Sequence, residues 1–326
     1  HVVELIDATI ARDQVAGDSD NAPRFHLGAS VLGVDCDRER WYTFRWATKR
    51  DFEGRMLRLF DRGHKEERRF IEWLELIGAE VRDTSQRLLY HADSDCYMTA
   101  EWDEDTPLVE RDLDDLTYDR WHRKRAEARG VKLRQWGFKA YDGHFAGSSD
   151  GRARNIPGVE IFGLTRDRWI GLEFKTHKDS SFNALVNAGD LRKGKPDHYV
   201  QTCIYMHYQN LPLTLYMAVN KDTEHMHAEW VLPNPELVAS FDPKIREALY
   251  AKQHPRRISR SPSWHLCKFC DHKRTCHFGE PMQVNCRTCM SATPVDNGEW
   301  HCAQWGKRIP KLAQLEGCGY HRMIQD

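Results

Sequence analysis

The sequence lacks the features that would send a chain into a membrane or keep it unfolded. It has no run of about 18 or more apolar residues, and residues 1 to 21 are polar and acidic rather than a basic segment followed by an apolar block. Secretion and membrane spanning are thus not expected, and the chain reads as cytoplasmic. An excess of one charge is also missing. Lys and Arg number 48 against 49 Asp and Glu, a net charge of -1, so a polyanionic partner would have to be held by local patches. Internal repeats and low-complexity tracts are absent, which excludes solenoids and disordered arrays. What is present is enough to build a core: 326 residues, 40% hydrophobic and 11% aromatic, can bury one sizeable core plus a small appended module. Two basic clusters stand out, Trp121-His122-Arg123-Lys124-Arg125 running on to Arg129, Lys132 and Arg134, and Arg256, Arg257 and Arg260. Taken alone, both read as solvated faces.

Cysteine is unevenly spread. Eight of the 10 cysteines sort into two groups of four by spacing. Cys267-x2-Cys270-x5-Cys276 supplies three thiols in one short segment, and Cys36, far upstream, is the fourth. The second group is Cys286-x2-Cys289 followed by Cys302 and Cys318, with His301 and His321 as alternatives to the last two. Cys96 and Cys203 are left over. Without an export signal, and with Cys-x2-Cys pairs too close for an unstrained bridge, soft-metal ligation is favoured over disulfides. Four thiolates suit tetrahedral zinc and a cubane iron-sulfur cluster alike, so spacing does not choose between them. For the second group zinc is the default, because a ribbon with so few apolar residues needs a metal to fold.

Periodicity predicts an α/β chain. Apolar residues from Phe52 to Ile77 recur at helical spacing, Ser85 to His91 reads as a strand, and residues 102 to 135 read as a charged, helical insertion. Phe138 to Ser148 carries strand character around the turn Tyr141-Asp142-Gly143-His144. Trp169 to Thr176 is the clearest buried strand, Tyr199 to Tyr208 a helix and Leu213 to Val219 a further strand. Loops are expected around Pro233, Pro235, Pro243, Pro255 and Pro262. The divisions that follow are an N-terminal extension (1–27), a core (28–254), a cysteine loop closing onto Cys36 (255–280) and a small cysteine-bearing module (281–326).

An acid-x-Lys triplet occurs three times, as Glu173/Lys175, Asp242/Lys244 and Asp271/Lys273. Only the first lies in a strand of period two, which puts Glu173 and Lys175 on one face and Leu172 and Phe174 on the other. Upstream, Gly147-Ser148-Ser149-Asp150-Gly151 places a second carboxylate at a strand end. Hard oxygen ligands of this kind suit Mg²⁺ or Mn²⁺, with Lys175 orienting a water or offsetting charge. Read as structure only, they are a turn aspartate and an ion pair on a sheet.

Taken together, Gly147-x2-Asp150-Gly151, Glu173-x-Lys175 and Gln201-x3-Tyr205 resemble the RecB-type nucleases of the PD-(D/E)XK superfamily. Gln201 and Tyr205, four apart, share a helix face. Gly63-His64-Lys65-Glu66-Glu67 is similar to that family's earlier helix motif and implies Glu67 as a third metal-facing residue, with His64 and Glu66 as alternates. One cysteine before the core and three after it resemble the iron-sulfur branch that includes CRISPR-associated adaptation exonucleases and AddB helicase-nucleases. The resemblance spans residues 28 to 280. It implies a restriction-endonuclease-like core, a mixed central sheet flanked by helices, and a [4Fe-4S] cluster on Cys36, Cys267, Cys270 and Cys276 as a clasp. The tail beyond Glu280 lies outside it and looks like an added zinc ribbon holding Zn²⁺ on Cys286, Cys289, Cys302 and Cys318. The function implied is a DNA exonuclease of a bacterial or phage-infected cytoplasm, with recombinase, helicase or single-strand-binding partners. The alternatives are an endonuclease on branched or modified DNA and a non-catalytic DNA-binding module. Leu191-Arg192-Lys193-Gly194-Lys195-Pro196 is a candidate backbone-gripping loop. Trp136, Trp169 and Trp264 are candidates for stacking on bases, while His26, His91, His198 and His254 are expected to be structural or surface groups.

Overall fold

The computed structural model describes residues 2–15, 23–49, 52–91, 94–102, 114–115 and 125–324. Helix α1 (Val2–Val15) leads to a short strand β1 (Leu27–Gly28), α2 (Asp37–Phe44) and the long α3 (Gly54–Leu76). Helix α3 forms because its apolar residues recur on one stripe: Leu57, Phe70, Ile71 and Leu74 are buried. Charged pairs brace its outer face, Lys65 with Asp61 at 2.5 Å and Arg68 with Glu72 at 2.9 Å. The chain leaves α3 through Gly78, whose φ of 87° favours glycine. Helix α1 packs on α3, with Asp7 pairing to Arg58.

The central sheet has the order β11-β10-β9-β8-β2, built from β2 (Glu80–Arg82), β8 (Gly151–Arg154), β9 (Ile170–His177), β10 (Thr214–Asn220) and β11 (Met226–Val231). Strands β9 and β10 are parallel and the other neighbours antiparallel, so the sheet is mixed. A parallel pair needs a crossover, which α4 (Asp179–Ala188), α5 (Leu191–Gly194) and α6 (Pro196–Gln209) supply. Ile170, Leu172 and Phe174 turn towards α3, where the Phe174 ring stacks on Phe70 at 4.8 Å. Helix α6 covers the opposite face, with Ile204, Tyr205 and Met206 in a second cluster that includes Tyr216 and Ala218 of β10.

A smaller sheet, β1-β7-β6, adds the hairpin β6 (Gly137–Ala140) and β7 (Phe145–Ser148). Its turn carries positive φ at Tyr141, Asp142 and Gly143. At Gly143 a Cβ would stand 2.9 Å from the backbone nitrogen of Gly298, so only glycine lets the C-terminal segment approach. That segment folds as β12 (Ala292–Pro294), β13 (Trp300–Cys302) and β14 (Lys307–Ile309). Its Ala292, Trp300 and Ile309 join the same buried cluster as Phe44, Phe145 and Ile245.

Two buried arginines seal this junction. Arg287 donates to the carbonyls of Phe44 and Phe25, each at 3.0 Å, and lies 3.7 Å from the Trp46 ring centroid. Arg45 donates to the carbonyls of Arg287 and Ala251, each at 2.8 Å. Burial depresses both guanidiniums, Arg45 to about 10. Carbonyl dipoles and aromatic faces carry these charges in place of a carboxylate.

Several expectations are corrected. Pro235 and Pro243 do not mark loops: they sit in the first turns of α7 (Pro235–Ser240) and α8 (Asp242–Tyr250), where a missing N–H costs nothing. Val238, Ile245 and Leu249 of these helices are buried in the core. The basic segment 191–196 is not a loop but the short α5 leading into α6, with Leu191 fully buried and Asp190 capping it by accepting from the Lys193 N–H at 2.8 Å. The insertion is not wholly helical, since Asp114–Asp115 forms β5 on a three-stranded sheet with β3 (Gln86–His91) and β4 (Cys96–Glu101). Helix occurs at 125–128, while Trp121, His122, Arg123 and Lys124 lie outside the described residues. The last helices are α9 (His265–Lys268) and α10 (Lys273–Phe278). Among the described residues no helix is long and apolar enough to cross a membrane.

Candidate active site and cysteine clusters

Strand alternation positions the acid-lysine pair. Glu173 and Lys175 project from β9 on the face opposite Phe174, and they pair with each other. Glu173 is 1% exposed, and its second oxygen, Oε2, is buried with no hydrogen-bond partner among the described residues. Asp150 enters from the turn between β7 and β8, where its Oδ2 accepts from the Phe174 N–H at 2.6 Å. That bond ties the β7–β8 turn to β9 directly beside Glu173. Of the three acid-x-Lys triplets only this one reaches such a site: Asp242 of the second accepts from the Tyr141 hydroxyl at 2.7 Å instead.

The third carboxylate comes from α3. Glu67 faces Asp150 and lines the cleft, whereas Glu66 is turned to Arg69 at 2.5 Å. His64, one turn earlier, lines the same cleft. Burial, reinforced by Asp150, pushes Glu67 up to about 8. Burial likewise pushes Glu173 up to about 7 against the pull of Lys175, and it raises Asp150. Lys175 is held protonated: burial opposes its charge, but Glu173 and Asp150 outweigh burial.

Helix α6 closes the site from above. The Gln201 side chain donates to the Tyr205 hydroxyl at 2.8 Å, joining residues four apart on one face. The Tyr205 ring lies against β7, and a Cβ at Gly147 would stand 2.6 Å from its Cε1. Glycine at 147 is therefore what allows the ring to approach the carboxylates.

The cleft beside these groups holds about 1080 Å³ and runs from Glu67 and Lys175 to His272 and Asn285. Arg24, Lys49 and Lys221 line it together with Trp46, Phe52 and Phe60. Its walls thus mix cationic and aromatic side chains although the whole chain is nearly neutral. Among the described residues no three His, Cys, Asp or Glu side chains are gathered closely enough to hold a metal ion as they stand. The donor set nevertheless fits a hard divalent cation. Three carboxylates with raised affinity for protons converge, and one carries an orphaned buried oxygen.

None of the ten cysteines is paired in a disulfide. Cys36 stands at the N-cap position of α2, Cys267 lies in α9, Cys276 in α10 and Cys270 between them. The four line one cavity of about 20 Å³. Burial pushes Cys270 up to about 12 and, together with Cys36 and Cys276, raises Cys267. Such thiols keep their protons unless a metal displaces them. In the second group, burial and then Cys289, Cys318 and Cys302 push Cys286 up to about 11. His301 pairs across the strands with Thr293, on alternate parity to Cys302, and His321 contacts the Thr288 hydroxyl at 3.3 Å. Cys203 is buried in α6, and Cys96 lies at the start of β4.

Two of the three candidate tryptophans are engaged elsewhere. Trp136 donates to the Arg82 carbonyl beneath Arg152, and Trp169 lies under Arg82 and Arg154. Trp264 is 47% exposed. Sequence reasoning missed His177 and Tyr216 and set His198 aside, although Tyr216 stands in register with Glu173 and both imidazoles lie near Lys175. The signal was available: His177 shares the parity of Glu173 and Lys175, and His198 precedes Gln201 by three on one helix face.

No family model and no curated protein matches the sequence. Among solved structures, the chain is similar to an alkaline exonuclease from Laribacter hongkongensis, at 13% identity over 69% of this chain and 87% of that chain, with a TM-score of 0.35. The complex of that exonuclease with dAMP matches at 13% identity over 69% and 86%, with a TM-score of 0.38. A phage-related exonuclease from Haemophilus somnus 129PT matches at 12% identity over 38% and 62%, with a TM-score of 0.25. Likenesses this distant decide nothing about the site, whose chemistry rests on its own residues.

Proposed function

We propose that the chain is a metal-dependent DNA nuclease of the PD-(D/E)XK type, an exonuclease in action, whose carboxylates Glu67, Asp150 and Glu173 hold Mg²⁺ or Mn²⁺. The observation that carries this reading is the convergence of the three carboxylates with Lys175 at the end of a cleft lined by cationic and aromatic side chains. A cation bound there would polarise the scissile phosphate and lower the pKa of its water. Lys175, kept protonated by its acidic neighbours, offsets negative charge on the phosphate oxygens as the reaction proceeds. The Gln201–Tyr205 pair presents an amide and a hydroxyl from α6 that orient the substrate backbone or the attacking water. Arg24, Lys49 and Lys221 bind phosphates without reading sequence, and Trp46, Phe52 and Phe60 offer faces to bases.

The cysteine groups belong to the same reading as structural sites. Cys36, Cys267, Cys270 and Cys276 suit a [4Fe-4S] cluster clasping α2 to the segment after the core, and Cys286, Cys289, Cys302 and Cys318 suit Zn²⁺. The test is degradation of end-labelled linear DNA and of covalently closed circular DNA with Mn²⁺, using anaerobically purified protein and its Glu173→Ala variant. Shortening of the linear DNA alone, lost in the variant, supports an exonuclease. Cutting of the circle moves the reading to an endonuclease, and inert wild type moves it to a DNA-binding module.

A further inference from the structure

Beside the carboxylates lies a row of polar side chains for which the proposed chemistry has no use. His177 continues the face of β9 that carries Glu173 and Lys175, and it is 8% exposed. Tyr216 of β10 is fully buried and stands in register with Glu173. His198 lies on α6, three residues before Gln201 and seven before Tyr205, on the same stripe. The two imidazoles stack at 5.5 Å, and both contact one hydroxyl: His177 Nε2 at 3.2 Å and His198 Nδ1 at 2.8 Å from Tyr216 Oη. On its other side, His177 Nδ1 lies 3.3 Å from Ser181 Oγ, which accepts from Lys195 Nζ at 2.7 Å. At the far end, His198 Nε2 lies 3.7 Å from Asp197 Oδ2.

The Lys195 end sets the direction of the chain. Lys195 can only donate, which leaves the Ser181 O–H to donate onward to His177. At the other end, a neutral His198 with its proton on Nε2 leaves Nδ1 to accept from the Tyr216 O–H. The Tyr216 oxygen then accepts from His177 Nε2–H, and the bare Nδ1 of His177 accepts from the Ser181 O–H. One donor serves each acceptor along the chain. Burial, with the lysines nearby, lowers His177 to about 4 and His198 to about 3, so both are neutral at physiological pH, as this pattern requires.

We propose that Lys195, Ser181, His177, Tyr216 and His198 form a polarised hydrogen-bond relay, running from Lys195 to His198, that holds α6 in register on β9 so that Gln201 and Tyr205 face Lys175. The relay joins α4, β9, β10 and the start of α6, the four elements whose mutual placement sets the site. Its members are positioning residues, and their effect on cleavage rests on the nuclease reading above. Their protonation pattern does not.

Two measurements test the relay. The first is a long-range ¹H–¹⁵N correlation spectrum of the metal-free chain labelled at its imidazoles, assigned with His177→Gln and His198→Gln. Protons on Nε2 of both rings at neutral pH are expected; a proton on Nδ1 of either ring, or a cationic ring, overturns the relay. The second is cleavage kinetics. Tyr216→Phe is expected to lower kcat about tenfold with KM little changed, the signature of lost alignment. His198→Asn, whose amide oxygen replaces Nδ1 as acceptor, keeps several-fold more activity than His198→Gln. Equal impairment by Asn and Gln overturns the positioning role. Inert wild type overturns the nuclease reading and that role together, whereas active wild type with the wrong tautomers overturns the relay alone.

Discussion

The carboxylate cleft and the cysteine clusters both contain acidic groups that burial pushes towards protonation, Glu67 and Glu173 in one and Cys267, Cys270 and Cys286 in the other, yet they are built in opposite ways. Glu173, Lys175 and Asp150 are held by strands and by the bond from the Phe174 N–H, so their placement follows from the sheet's hydrogen bonding. Cys36, Cys267, Cys270 and Cys276 come from a helix cap, two short helices and the segment between those helices, drawn together from the two sides of the core. The first site is carried by structure that exists for other reasons. The second brings together segments with little regular structure of their own, and a bound group would add folding energy there. Removing a ligand should therefore cost activity in one site and stability in the other.

The largest effect expected from this contrast is at Glu173. Glu173→Gln should lower the rate on end-labelled DNA about 1000-fold while the unfolding midpoint hardly moves; a collapse of stability would erase the distinction. The cysteines should show the reverse. Cys36→Ser or Cys267→Ser should bleach the visible absorbance and lower the midpoint by about 10 °C, and Cys286→Ser should release zinc measurable by elemental analysis.

A smaller change sharpens the contrast inside the cleft. Gly147→Ala pushes a methyl against the Tyr205 ring and should cost about 1–3 kcal/mol of stability, with a loss of kcat because the ring is displaced. Denaturant unfolding alongside kinetics would separate the two. The mildest effect is one of slope. In the metal-free chain Glu67 keeps its proton up to about 8 and Glu173 up to about 7, whereas unfolded both release it near 4.5. The fold thus binds more protons across that window, so its stability falls as pH rises from 4.5 towards 8. Added Mn²⁺ should flatten or reverse the slope by binding the deprotonated carboxylates, which thermal unfolding with and without the ion would read.

Much of this was legible locally. The period of two around Glu173-Phe174-Lys175 separates the polar from the apolar face of β9, and the four-residue step from Gln201 to Tyr205 gives a shared helix face. The turn at Tyr141-Asp142-Gly143 was readable as well. Other features misled for reasons equally physical. Pro235 and Pro243 looked like breakers because proline ends a helix from within, yet it starts one without penalty. Asp114–Asp115 sits in a charged stretch with no strand pattern and pairs with β3 all the same.

By itself, the sequence determined the inventory and its local spacing: two sets of four thiols, an acid and a lysine on one strand face, an aspartate after a glycine turn, and an amide and a phenol on one helix face. Only the tertiary structure decided which of Glu66 and Glu67 turns to the cleft. The same holds for the junction at Arg45 and Arg287, which joins the C-terminal strands to the core, and for the meeting of His177 and His198 at Tyr216. Alternation and helical repeat are properties of neighbouring residues and can be read in order. Which faces meet depends on how helices and strands pack across long stretches of chain, and no local period encodes that.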